Sequence, residues 1–137
     1  MLFSKKTKAN EWFYKAKKAY RKNKLPAPYA ALFDYYVVMD LLKGRGYTGH
    51  YEFFTSCIFR DILDERVRDL RSILPEGHLT NFNRAYERFV ALGPDPDYET
   101  TSAAFDELDD YTFEHYEELI VFLQSYIDDM TARGLLK

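Results

Sequence analysis

The chain has little of what usually staples or anchors a small protein. One of its 137 residues is cysteine, Cys57, so no disulfide can close within it and no cysteine-based zinc site can form. Cys57 lies in the apolar run Phe53-Phe54-Thr55-Ser56-Cys57-Ile58-Phe59, with no basic neighbour in sequence to lower its pKa, so a buried, inert thiol is expected. No apolar run nears the roughly 18 residues of a membrane span; the stretch at 119–123 is among the longest. The first residues carry charge within five positions, unlike a secretory leader, and the expectation is a soluble, cytoplasmic protein. Strand-like alternation, internal repeats and low-complexity segments are missing. So is Gly-x-x-x-x-Gly-Lys-[Ser/Thr], which excludes a phosphate-cradling P-loop, and Gly-x-Ser-x-Gly gives no support to a serine hydrolase. A carboxylate-bridged metal site in a bundle needs Glu-x-x-His, but Tyr47, Pro75 and Thr112 precede His50, His78 and His115 by three. No metal or cofactor is expected.

Lysine and arginine are absent from residues 95–118, which hold ten acidic side chains. Residues 1–24 reverse this, with Lys5, Lys6, Lys8, Lys15, Lys17, Lys18, Arg21, Lys22 and Lys24 against Glu11. The net charge of -3 hides this polarity. Either the two segments pair within the fold, or the basic arm meets nucleic acid.

Apolar residues make up 47% and aromatics 18%, which excludes a disordered chain. The length suits one domain, 1–137, with its core over about 9–130. Periodicity predicts helices over roughly 11–24, 28–43, 50–72, 79–92 and from after Ser102 to about Met130. Asn10 is placed to cap the first, and the Pro-containing stretch at 25–28 is expected to stop it. The second is apolar nearly all round and is expected at the centre of the core, with part of its surface available to a second subunit. Asp64 and Arg68 form an i,i+4 pair. Residues 75–78 read as a turn, and 93–102 as the longest loop. Asp106, Glu107, Asp109 and Asp110 suit the positive end of the last helix. The fold class is all-α, an antiparallel bundle of four to five helices. His78 and His115 are expected to be structural.

Between the second and third helices lies Lys43-Gly44-Arg45-Gly46-Tyr47-Thr48-Gly49-His50. Histidine exchanges protons near neutral pH, and arginine matches a phosphate with paired hydrogen bonds. Together, Arg45 and His50 suit metal-free attack of an RNA 2′-hydroxyl on its own phosphate. His50 would move the proton and Arg45 would stabilise the phosphorane.

The surrounding stretch, residues 28–54, resembles the second helix, turn and third helix of HEPN domains (higher eukaryotes and prokaryotes nucleotide-binding). Tyr29, Ala30, Phe33, Leu41, Leu42, Lys43, Gly44 and His50 take the places of that family's aromatic helix, Lys-Gly turn and histidine. Residues 84–99, with Asp97 and Tyr98, resemble the segment before its last helix. The resemblance covers roughly 9–128. It implies a HEPN-like bundle that forms a homodimer. In active members Arg-x(4–6)-His cuts RNA without metal, often as a toxin of a toxin–antitoxin or defence system. On that reading Arg45 and His50 are catalytic, Tyr47 and Tyr51 stack on bases, and Lys15, Lys18 and Lys22 hold the RNA backbone. Inactive members instead partner a minimal nucleotidyltransferase, which acts as antitoxin, or another protein. Gly46 stands where active members favour Asn or Asp, and Glu52 where some toxins have tyrosine. Two expectations follow, a metal-independent endoribonuclease and a catalytically inactive binding module, alongside a plain helical adaptor.

Overall fold

The computed structural model describes residues 10–42, 49–93 and 96–136. The described residues are helical and contain no strand, so the all-α expectation holds. They form α1 (Glu11–Arg21), α2 (Ala27–Leu42), α3 (Gly49–Phe59), α4 (Leu63–Ile73), α5 (Glu76–Leu92), α6 (Tyr98–Glu114) and α7 (Tyr116–Ala132). Seven helices replace the expected four to five because two long ones break.

The first break, after α3, is a left-handed helix stop. Asp61 takes φ 58°. Its N–H donates to the Ile58 carbonyl (3.0 Å) while that of Ile62 donates to Cys57 (2.9 Å). These two bonds satisfy carbonyls that a helix end leaves orphaned, and aspartate tolerates the left-handed turn better than most residues. The same device ends α1. Asn23 at φ 54° lets Asn23 and Lys24 donate back to Tyr20 and Ala19, so the helix stops at Arg21, ahead of the prolines expected to stop it.

The second break falls at His115, whose ring Nδ1–H donates to the Tyr111 carbonyl (2.9 Å) and whose own carbonyl accepts from His78 on α5 (3.0 Å). Both carbonyls are thus shared between the helix ladder and a side chain, and the backbone leaves helical geometry at His115, with φ -109° and ψ 23°.

Two starts also fall earlier than the sequence suggested. Residues 76–78 form the first turn of α5 rather than a free turn, because Pro75 is already extended and its carbonyl accepts from Leu79 N–H (2.8 Å). Asp97 caps α6 by accepting from Thr100 N–H at 2.7 Å, so the second half of the expected 93–102 loop is helix.

α2 is central as expected, touching α1, α3, α4 and α7. It buries Ala31, Leu32, Phe33, Tyr35, Tyr36 and Met39. The interior is a lattice of rings: Phe54 meets Phe82, Tyr86 and Phe89 within 5.1–5.5 Å, and Tyr36 stacks on Tyr116 at 5.0 Å. Aromatic pairs of this kind add to the value of the buried area alone. No helix among the described residues is long and apolar enough to cross a membrane.

One charge inside α2 is answered from the α3–α4 junction. Asp34 accepts from Arg60 Nη2 (2.9 Å) and Arg66 Nε (3.1 Å), and Arg66 also donates to the Tyr20 hydroxyl of α1 (3.0 Å). Beside this cluster Cys57 is buried, and burial pushes its thiol up to about 11, so it is inert as expected. Arg68 donates to Asp69 at 3.2 Å instead of forming the expected pair with Asp64. Asp34→Ala leaves two guanidinium groups facing each other. With Arg60 partly solvated, the change should destabilise the fold by about 2 kcal/mol in urea unfolding.

Candidate functional site

His50 stands in the first turn of α3 and is fully buried. Its ring lies between two helices that are remote in sequence. Nδ1 is 2.6 Å from Asp109 Oδ1 on α6, and Nε2 is 2.6 Å from the Tyr35 hydroxyl on α2. A carboxylate only accepts, so Nδ1 donates to Asp109, and Nε2 shares its hydrogen bond with the Tyr35 hydroxyl. The same carboxylate accepts from the backbone N–H of His50 (3.0 Å) and of Gly49 (2.9 Å). Asp109 therefore caps α3 from another helix, which corrects its expected role at the start of its own.

The chain of bonds continues inward. Thr112 Oγ1 lies 3.3 Å from the Tyr35 hydroxyl, and Asn81 Nδ2 donates to Thr112 Oγ1 (3.2 Å) and to the Leu108 carbonyl (2.8 Å). Tyr35 is walled in by Phe53 and Phe82, with ring centroids at 5.2 and 5.6 Å. Burial holds its phenol well above the ordinary tyrosine range, more than the Thr112 bond lowers it, so it stays protonated. The order carboxylate, imidazole, hydroxyl is that of a nucleophile relay. Here Tyr35, His50 and Thr112 have no exposed surface and Asp109 has 5%. A substrate has no approach to the ring in this arrangement, and each polar atom of His50 has its partner.

The other expected site residues are dispersed. Arg45 and Tyr47 lie outside the described residues. Tyr51 is half-buried and packs on Phe89 and Phe105 at 5.7 and 6.1 Å, so its ring serves the core. Lys15 pairs with Glu11 within α1 at 3.6 Å. Lys18 and Lys22 are exposed on the outer face of α1, where Tyr14, Lys17 and Arg21 join them around a hollow of about 350 Å³. Among the described residues, no ion pair joins α1 to the acidic α6. Glu107 of α6 is instead held by Arg84 (3.1 Å) and Arg88 (2.7 Å) of α5. No group of three or more His, Cys, Asp or Glu among the described residues is placed to hold a metal ion.

His78 and His115 are structural. His115 stacks on Tyr111 at 4.1 Å, and His78 donates through Nε2 to the His115 carbonyl while its Nδ1 is buried without a partner. Burial lowers the His78 pKa, against the opposing pull of that carbonyl and of Glu118.

Tyr35, Asp109, Thr112 and Asn81 were missed as a set. The available signal was a carboxylate and a hydroxyl three residues apart within the apolar pattern of α6. Compared with known proteins, the chain matches no family model, no curated protein and no solved structure.

Two stability predictions follow from this geometry. His50→Ala removes two side-chain bonds, strands Tyr35 and Asp109, and leaves a cavity, so urea unfolding should show a loss of about 3 kcal/mol. The folded-state pKa of His78 is depressed, so the unfolded chain takes up a proton first as pH falls. Stability contributed by neutral His78 is present above the ordinary imidazole value and lost below it. The urea midpoint should therefore drop between about pH 7 and pH 5, and drop less in His78→Leu.

Proposed function

We propose that the chain is a HEPN-like helical bundle that works as a binding module and does not cut RNA through His50. The observation carrying this reading is the enclosure of His50. A general base must reach the hydroxyl it deprotonates, at about 3 Å or through one water. His50 spends both ring nitrogens on Asp109 and Tyr35 inside the core. Freeing the ring would break its bonds to the buried Asp109 carboxylate and Tyr35 hydroxyl, at a cost comparable to a large core mutation. The resemblance to inactive HEPN members suggests the partner class, a minimal nucleotidyltransferase or another protein, with the module acting as a homodimer.

A second element of the reading concerns RNA. The outer face of α1 supports contact with a phosphodiester backbone. Lys17, Lys18, Arg21 and Lys22 surround Tyr14 without an acidic partner in the described ion pairs. Neutralising phosphates releases counterions, and an aromatic ring among the cations offers a stacking face.

Incubation of purified protein with a mixed structured RNA in EDTA should give no cleavage above that of His50→Ala and Arg45→Ala. Cleavage by wild type that both variants lose, with both still folded, would establish the metal-independent endoribonuclease instead. In titrations with single-stranded RNA at low salt, Lys18→Glu with Lys22→Glu should weaken binding at least about tenfold and flatten its salt dependence. Unchanged binding would remove RNA from the proposal.

A further inference from the structure

α7 turns its buried side, with Leu119, Leu123 and Ile127, toward the core, yet its opposite side is also partly apolar. Val121 is 57% exposed there. Beside it Phe122 and Tyr126 meet Tyr29 from the start of α2, and together with Pro75 they line an open groove of about 760 Å³. The floor is fixed in place, since Tyr29 and Tyr126 stack with centroids 3.6 Å apart and Phe122 lies 5.9 Å from Tyr29. Rigid aromatic surface binds with less ordering cost than flexible side chains would.

The rim carries one sign of charge. Glu117 and Glu118 stand at one end and Asp129 at the other, all exposed, and no lysine or arginine lines the groove. Asp129 has only its own-helix neighbour Arg133, at 3.5 Å with both side chains solvated, which is worth little. The lining residues recur at one-turn intervals: 117 and 118, then 121 and 122, 125 and 126, and 129. From Glu118 to Asp129 is about 16 Å along the axis, three turns of a facing helix. Ser125 at the middle is the small residue that lets a second backbone come near.

We propose that this groove is a docking site for a basic amphipathic helix of a partner protein. The partner lays apolar side chains at i, i+3 or i+4, and i+7 over Val121, Phe122 and Tyr126, and its flanking Lys or Arg residues meet Glu117, Glu118 and Asp129. An acidic rim repels an anionic bilayer and a nucleic-acid backbone alike, so charge selects the protein helix over those occupants. The inference deepens the binding-module reading and rests on it by naming the chemistry of the partner.

The test uses the full chain and a fluorescent Leu/Lys peptide of about fourteen residues, with leucines on one helical face, and its Leu/Glu counterpart. Anisotropy should show the Lys peptide binding at least about tenfold more tightly than the Glu peptide. Glu117→Lys with Asp129→Lys should weaken it about tenfold, whereas Asp106→Lys with Asp110→Lys, an equal charge change on α6, should leave it within about twofold. Val121→Asp adds negative charge but removes exposed apolar surface beside the aromatic floor, and should also weaken binding severalfold. Equal loss in both charge variants, tighter binding by Val121→Asp, or no preference for the Lys peptide would overturn the proposal. RNA cleavage plays no part in this readout, so the groove can fail while the enclosed-histidine reading stands, and the reverse.

Discussion

The carboxylate of Asp109 is the group around which the interior is arranged. It accepts from the Gly49 and His50 amides and from the His50 ring, so one side chain of α6 both caps α3 and orients the imidazole that reaches Tyr35 of α2. A helix start in an apolar interior has orphan N–H groups, and each left unpaired there costs free energy that packing must offset. Asp109 removes that cost across 60 residues of chain. Gly49 fits the same point: a Cβ there would come within 2.8 Å of the Met39 thioether, so a larger residue would have to push that flexible side chain aside.

Once α2, α3 and α6 are joined by this polar chain, the rest of the fold falls into layers around them. The ring lattice of Phe53, Phe54, Phe82 and Phe105 packs about α3, and α5 is held to α6 by Asn81 inside and Arg88 outside. On the other side of α2, Asp34 draws in the α3–α4 junction and, through Arg66, α1. Reactive-looking groups are thereby spent on structure: the imidazole, the tyrosine beside it and the buried thiol. The outer faces show the opposite economy. α1 and α7 pack against each other, but among the described residues no ion pair joins the lysines of one to the carboxylates of the other; Lys15 and Asp129 pair within their own helices.

The helical class and the central place of α2 were legible because apolar periodicity reports burial directly. The breaks were not. Asp61 and Asn23 stop helices through left-handed conformations that neither residue announces as glycine does, and the helix is interrupted at His115, whose carbonyl accepts from His78. The basic and acidic segments were legible as charge. Their separation within the fold needed coordinates, because sequence gives the sign of a face but not what it meets. His50 shows the same limit. Its place at a helix start after a glycine-rich turn was readable and suggested an open site. That it faces inward depends on Tyr35 and Asp109, 15 and 59 residues away, which no local pattern ties to it.

The most direct test of the account is chemical accessibility of the His50 ring, measured by diethyl pyrocarbonate labelling with peptide mass spectrometry in the folded and urea-unfolded chain. The account predicts that His50 is protected in the folded protein, that half-exposed His115 is labelled, and that both react when unfolded. Labelling of His50 in the folded chain at the rate seen in the unfolded one would contradict it, because the ring would then be open to solvent and free to act on a substrate.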